Sequence, residues 1–291
     1  MTYIKLIFLI IMLMLDRCGI ITPISRKNII GIETEKLTPQ KLDGSWRLSS
    51  VEIKRITLNI VPDSLSQEAL KIEKDEDFLL SFFPDSSFTE IKVNGEYITG
   101  KWSYKEADQS VSLISKNKTE NFKAFLKRGT NGLRLMKLKS ASGDSLSLAG
   151  FGKSMENYQD DPFYAANNTW REKPLQPESD KQILDRLTKY IAHNAYMLKA
   201  ADTRRQQFIS WEFSKGIIKI YNGGIGLVAQ DKIPKIWINS FYSHDDALKA
   251  YNIFDHYLRT TSYKGTAKGN WVKDDYDILI SIYNGLKKVN V

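Results

Sequence analysis

Between residue 42 and about residue 150, apolar side chains recur at every second position. Ile56/Leu58/Ile60, Trp102/Tyr104 and Leu133/Leu135 set this period, the spacing of a strand with one buried and one wet face. The runs that fit are 46–60, 78–83, 88–93, 97–104, 110–115, 121–127, 132–138 and 146–151. Turn chemistry separates them. Asn94-Gly95 favours a tight type I′ hairpin, while Gly129-Thr130-Asn131-Gly132 and Ser142-Gly143-Asp144 offer positive-φ positions. Short strands joined by hairpins at near-regular spacing predict an antiparallel meander that curls or closes into a barrel to protect its edges. The stretch 61–77 breaks the rhythm. Its Ser64-Leu65-Ser66-Gln67-Glu68-Ala69-Leu70 string reads either as a helical turn across a barrel mouth or as a long loop.

A connection over 153–178, dense in Asn, Asp and Pro, leads to a change of period to 3.6. Ser179 and Gln182 form a capping box. Behind it Ile183, Leu187, Tyr190, Ile191, Ala195 and Leu198 make one apolar stripe on a helix reaching about Ala201. The runs 208–213 and 217–221 read as a hairpin across Ser214-Lys215-Gly216, and 235–242 as a further strand. Ser243 and Asp246 cap a second helix over 245–259. A third over 274–288 turns Tyr276, Leu279, Ile282, Tyr283 and Leu286 inward. The fold class is therefore α+β in two domains: a β domain at 41–152, a linker at 153–178, and three helices flanking a short antiparallel sheet at 179–291.

Ahead of these domains, an unbroken apolar run fills residues 6–15 between Lys5 and Asp16. A cationic start and an apolar core of about ten residues are parts of a secretory signal, and the run falls short of the roughly 20 residues a membrane-spanning helix needs. Cys18, three residues past the run, is the only cysteine, so no disulfide forms within the chain. The arrangement resembles a bacterial lipoprotein signal. That resemblance implies removal of residues 1–17, a lipid on Cys18, a tether over 18–40 carrying Pro23 and Pro39, and an exported, membrane-anchored place in the cell envelope. Asp16-Arg17 stands where that pattern has small residues. An uncleaved or differently cleaved signal and an ordinary buried helix are the alternatives.

The formal charge of +8 adds little to this picture. It is spread as short pairs such as Lys54-Arg55, Lys127-Arg128, Arg204-Arg205 and Lys287-Lys288. A nucleic-acid track needs clustered cations facing phosphates, so nucleic acid is not an expected partner. A mildly basic surface is drawn weakly to anionic lipid headgroups.

A second resemblance covers residues 42–150. Gly44-Ser45-Trp46 heads the first strand, a turn-bounded strand carries Phe88, and Gly100-Lys101-Trp102-Ser103-Tyr104 follows. Val111-Ser112-Leu113 and the strand from Phe122 to Leu126 come next. The order looks like that of the lipocalin-like domains of bacterial envelope proteins. The resemblance implies a lipocalin-like barrel in which Trp46 closes one end, a packing role. It makes Gly44, Trp46, Gly100, Trp102 and Tyr104 structural residues.

Candidate chemistry is sparse. Gly143-Asp144-Ser145-Leu146-Ser147 reproduces the signature of the GDSL esterases, whose serine needs a D-x-x-H base downstream. Here Tyr190, Phe241 and Ile253 stand three residues before His193, His244 and His256, so the string reads as a hairpin turn. Gly223-Gly224-Ile225-Gly226 is followed by a strand or turn where a phosphate cradle would need a helix. It reads as a glycine bulge or hairpin, with a ligand-lined loop as the alternative. The histidines show no metal-ligand spacing, and Asp160-Asp161 and Asp274-Asp275 read as loop and helix-start charges. No metal and no cofactor are expected. In the linker, Phe163, Tyr164, Trp170 and Arg171 concentrate the residue types that carry interface energy; they make either a partner surface or the glue between the two halves. The expected function is that of a non-enzymatic envelope lipoprotein binding a hydrophobic small molecule or a protein partner. The alternatives are an assembly scaffold with a filled barrel and, behind it, an envelope hydrolase.

Overall fold

The computed structural model describes residues 33–53, 56–59, 78–92, 96–128, 134–152, 155–201, 217–221, 224–261 and 271–289. Cys18, the stretch 61–77, Gly223 and the expected strand 208–213 lie outside these residues.

The alternating runs form one antiparallel sheet. Its strands are β1 (Glu33–Glu35), β2 (Gly44–Ile53), β3 (Ile56–Asn59), β4 (Phe78–Phe82), β5 (Ser87–Lys92), β6 (Tyr97–Lys105), β7 (Ser110–Ser115), β8 (Thr119–Arg128), β9 (Arg134–Ser140) and β10 (Ser145–Gly152). Neighbours run β8-β7-β6-β5-β4-β2-β10-β9, and β9 pairs back onto β8, so eight strands close into a barrel. Closure removes the free edges that an open sheet exposes. The expected single strand 46–60 is two, because β3 folds back on β2 with Ile53 opposite Ile56. β1 pairs with Leu126–Arg128 of β8, along the edge that β7 leaves beyond Lys123.

Period-two alternation sends one set of side chains inward. Trp46, Leu48, Leu80, Phe82, Phe88, Trp102, Leu126 and Leu148 are all nearly or wholly buried there. The end of the barrel where β2 begins is plugged. A short helix α1 (Pro39–Leu42) lies across it, and Leu37 and Leu42 are buried beneath. Trp46 Nε1 donates to Leu42 O at 2.7 Å and Tyr104 Oη to Leu37 O at 3.2 Å. The Arg134 guanidinium lies over the Trp46 ring, 5.1 Å from its centroid, and donates to Lys41 O. Gly44, with φ 118°, makes the turn from α1 into β2 in a region that excludes side chains at little cost only for glycine. Gly100 is required by contact: a Cβ there would lie 2.1 Å from Ile114 O and 2.6 Å from Phe88 Cε1.

The described residues from 155 onward pack on the outside of this barrel. Helix α2 (Asp180–Ala201) opens on the capping box, with Ser179 N donating to Gln182 Oε1 at 2.8 Å. Its apolar stripe meets helix α5 (Trp271–Val289), and helix α4 (His244–Thr260) packs beside both. Ser243 Oγ accepts from Asp246 N at 3.1 Å and so starts α4. One sequence expectation needs correction. Residues 235–242 are not a strand: α3 (Lys235–Ile238) is a helical turn entered from Pro234 and held by Trp237 Nε1 donating to Ala247 O at 3.0 Å. Three apolar residues in a row carry no period, so packing of Trp237 decided the conformation. Ahead of it in the chain, β11 (Ile218–Tyr221) pairs antiparallel with β12 (Gly224–Leu227), a hairpin at the glycine-rich string, while the expected hairpin across Ser214-Lys215-Gly216 lies outside the described residues.

Candidate functional site

The end of the barrel opposite the plug differs from it in composition. Phe78, Ile98, Phe122 and Leu146 face the interior there and are only partly buried. Glu90 stands among them. Its cross-strand partners are Leu80 and Ile98, both part of the interior, and partners in a ladder share a face. The carboxylate therefore points into the barrel. Burial raises its pKa, Glu120 adds to the rise, and Lys92 and Lys118 oppose it. Those two lysines are themselves engaged, Lys92 Nζ with Glu96 Oε2 at 2.8 Å and Lys118 Nζ with Glu120 Oε1 at 2.6 Å. Sequence reasoning missed Glu90. The signal was there in its place two residues from Phe88, but Ile91 broke the alternation.

The linker residues singled out by sequence converge elsewhere, on the barrel's outer face. Leu79, Ile91 and Tyr97 form a cross-strand row on β4, β5 and β6. Leu79 and Ile91 share one core with Phe83 and α2 residues Ile183, Leu187 and Ile191. Phe163 is buried, 1% exposed, in that same core. Two 3₁₀ turns, Tyr158–Asp160 and Ala165–Arg171, order the segment. Tyr164 packs edge-on against Phe83 at 5.2 Å, and its hydroxyl donates to Asp85 Oδ2 at 3.1 Å. Burial alone raises the Asp85 carboxyl, but the Ser87 hydroxyl and N–H and the Tyr164 hydroxyl together hold it below its ordinary value.

Arg171 is the polar centre of this joint. Its guanidinium lies over the Trp170 and Tyr97 rings, at 4.7 and 5.1 Å, and donates to His193 Nε2 at 3.0 Å. Because Nε2 accepts, the ring proton belongs on Nδ1, which faces Pro162 O at 3.4 Å. His193 is 1% exposed. Burial, then the Arg171 charge, depress its pKa well below the ordinary value, so the ring is neutral. Trp170 stacks edge-on against Tyr190, and Tyr190 against Trp237, at 5.0 and 4.9 Å. At the far side Arg186 grips Glu178 with two nitrogens and donates to Thr169 O and Glu172 O at 3.0 Å. Phe163, Tyr164, Trp170 and Arg171 thus pack between the barrel wall and α2.

The remaining candidates lie apart from both places. Gly224 and Gly226 are ladder residues of β12 opposite Tyr221 and Lys219. Ser145 is buried at the start of β10, opposite Glu52 and Lys139, while His193 is committed to Arg171 and Pro162. Among the described residues no group of three or more His, Cys, Asp and Glu converges on one point. One carboxyl read from sequence as a helix-start charge is buried. Asp275 on α5 is 0% exposed, and neither oxygen has a hydrogen-bond partner among the described residues. Burial, with the Asp274 charge beside it, raises its pKa to about 7.

No described helix is long and apolar enough to cross a membrane. No protein-family profile matches this chain, and no curated protein is similar to it. Among solved structures, the chain is similar to a DUF4847 family protein from Bacteroides vulgatus ATCC 8482. The two share 14% identity over 39% of this chain and 96% of that one, at a TM-score of 0.28, a likeness too low to carry a functional argument.

Proposed function

We propose that this chain is a non-enzymatic binding protein of the cell envelope, anchored through an acylated Cys18, that takes a hydrophobic small molecule at the barrel mouth opposite α1. One observation carries the binding reading. One barrel end is sealed by α1, Leu37, Leu42 and the Trp46–Arg134 stack, whereas the other leaves Phe78, Ile98, Phe122 and Leu146 partly exposed. Ligand sites are concave, mostly apolar and equipped with a few polar groups, and an eight-stranded barrel is just wide enough to hold one small ligand. The lipocalin-like reading draws support from the closed antiparallel barrel and from Trp46 at its sealed end. The envelope reading rests on the apolar run 6–15 ahead of the single cysteine. Two acyl chains would make the anchoring stable.

A second reading, an assembly scaffold, is favoured by the filled lower interior, where Trp46, Phe82, Trp102 and Leu148 leave the plugged half solid. Fluorescence of N-phenyl-1-naphthylamine separates the two. Binding that Ile98→Asp abolishes supports the mouth as the site; no binding by the native protein supports the scaffold. Native mass spectrometry of protein from its own host tests the anchor. A mass for residues 18–291 plus lipid supports it, and an intact Met1 terminus refutes it.

A further inference from the structure

We propose that the molecule taken by this mouth is an amphiphile whose head is a protonated amine, seated against Glu90. The inference rests on the binding reading above and names the chemistry of its ligand. The Glu90 side chain is directed inward between Leu80 and Ile98, and no ion pair or hydrogen bond among the described residues reaches its carboxylate. A carboxylate removed from water without a partner is costly. A cation delivered with the ligand offsets that cost, while a neutral head leaves it in place.

The surrounding charges select the same sign. Lys92 and Lys118 are occupied by Glu96 and Glu120. A fatty-acid carboxylate entering here would meet Glu90 with no free ammonium beside it among these residues, and like charges at short range are repelled. Apolar contact supplies the rest of the affinity. Phe78, Ile98, Phe122 and Leu146 surround the approach to Glu90. Below them Trp46, Phe82 and Trp102 already fill the interior. The tail therefore lies along the partly exposed ring of side chains without descending the full length of the barrel.

The test is displacement of N-phenyl-1-naphthylamine from the purified protein at pH 7 by three compounds with one tail: decylamine, decanol and decanoate. A hydrogen bond to an ionised group implies about a tenfold or greater advantage, so decylamine should displace the probe at roughly one-tenth the concentration of decanol, with decanoate the weakest. Glu90→Gln should reduce decylamine to the level of decanol, and far-UV circular dichroism matching the wild type reports that the variant is folded. Equal displacement by amine and alcohol, a preference for decanoate, or an amine preference that survives Glu90→Gln would each overturn the proposal while sparing the binding reading. If neither probe nor any decyl compound binds, both fall together.

Discussion

Replacing Asp275 with Asn should stabilise this protein at pH 8 and not at pH 5. The side chain lies on the stripe Asp275, Leu279, Ile282, Leu286, every member of which is fully or almost fully buried, and its two oxygens have no hydrogen-bond partner among the described residues. Its folded pKa of about 7 stands above the unfolded value near 4. The folded state thus holds a proton that the unfolded chain releases between those values. A raised folded pKa gives stability that is complete below about pH 4 and lost as pH rises to 7. The gap of about 3, at 1.36 kcal/mol each, costs the native state up to ~4 kcal/mol at pH 8. Asn removes this cost but leaves a neutral amide unpaired, worth about 1–2 kcal/mol at any pH. The net gain at pH 8 is therefore about 2–3 kcal/mol, and the difference between variant and wild type should shrink by ~3 kcal/mol on moving to pH 5. His193 pulls the other way, since the unfolded chain takes up a proton on acidification that the buried ring refuses; it is common to both proteins and cancels in the comparison. Urea unfolding followed by tryptophan fluorescence at both pH values measures the quantity. An Asn-for-Asp effect of equal size at pH 5 and pH 8 would refute the reasoning.

Trp46→Ala should cost about 3–5 kcal/mol, because it empties the sealed end and strands the Arg134 guanidinium; a loss under 1 kcal/mol in chemical denaturation would contradict the plug. Arg186→Ala removes both the Glu178 clamp and the donors to Thr169 O and Glu172 O, and a loss of about 3 kcal/mol is expected. The same variant should admit protease to residues 158–178, a region that should resist cleavage in the native protein because Phe163 and Tyr164 are packed against the barrel. His193 should keep a neutral ring, protonated at Nδ1, in nitrogen-detected NMR at pH 5; an imidazolium signal there would remove the Arg171 hydrogen bond from the account. A fluorophosphonate probe should not label Ser145, and stoichiometric labelling abolished by Ser145→Ala would revive the hydrolase.

The joint explains why these perturbations should be felt across the chain. Barrel residues Leu79, Phe83 and Ile91 and helix residues Ile183, Leu187 and Ile191 belong to one core. The Arg171 cation is held by aromatic faces, a neutral imidazole and Asn168 Oδ1, 3.4 Å from its Nε. Cation–π contacts strengthen when desolvated, to about 2 kcal/mol each. The reading of two domains at 41–152 and 179–291 accordingly becomes a sharper question: whether a cut at the joint leaves either half with a closed core. Differential scanning calorimetry of the intact chain should show one transition.

The sequence by itself determined the strands of the barrel wall and the three long helices. One-face burial writes period two into β6, β7 and β9, and an apolar stripe turned to the core writes period 3.6 into α2, α4 and α5. The caps at Ser179 and Ser243 were equally legible, since they act within four residues. Three things were decided only by the tertiary structure. Strands β4 and β5 are covered on both faces, by the barrel interior and by the helical half, so Leu79 and Leu80 are both buried. Alternation vanishes there, and with it the inward direction of Glu90. The linker aromatics read as a surface or as glue with equal grammar, because only the position of Asp85, Phe83 and His193 in space says what they touch. Closure itself rests on β8 meeting β9 at the same time as β1 and β7, and Asp275 became a buried acid through the packing of α5 on α2. Both are contacts between distant parts of the chain, to which no local pattern responds.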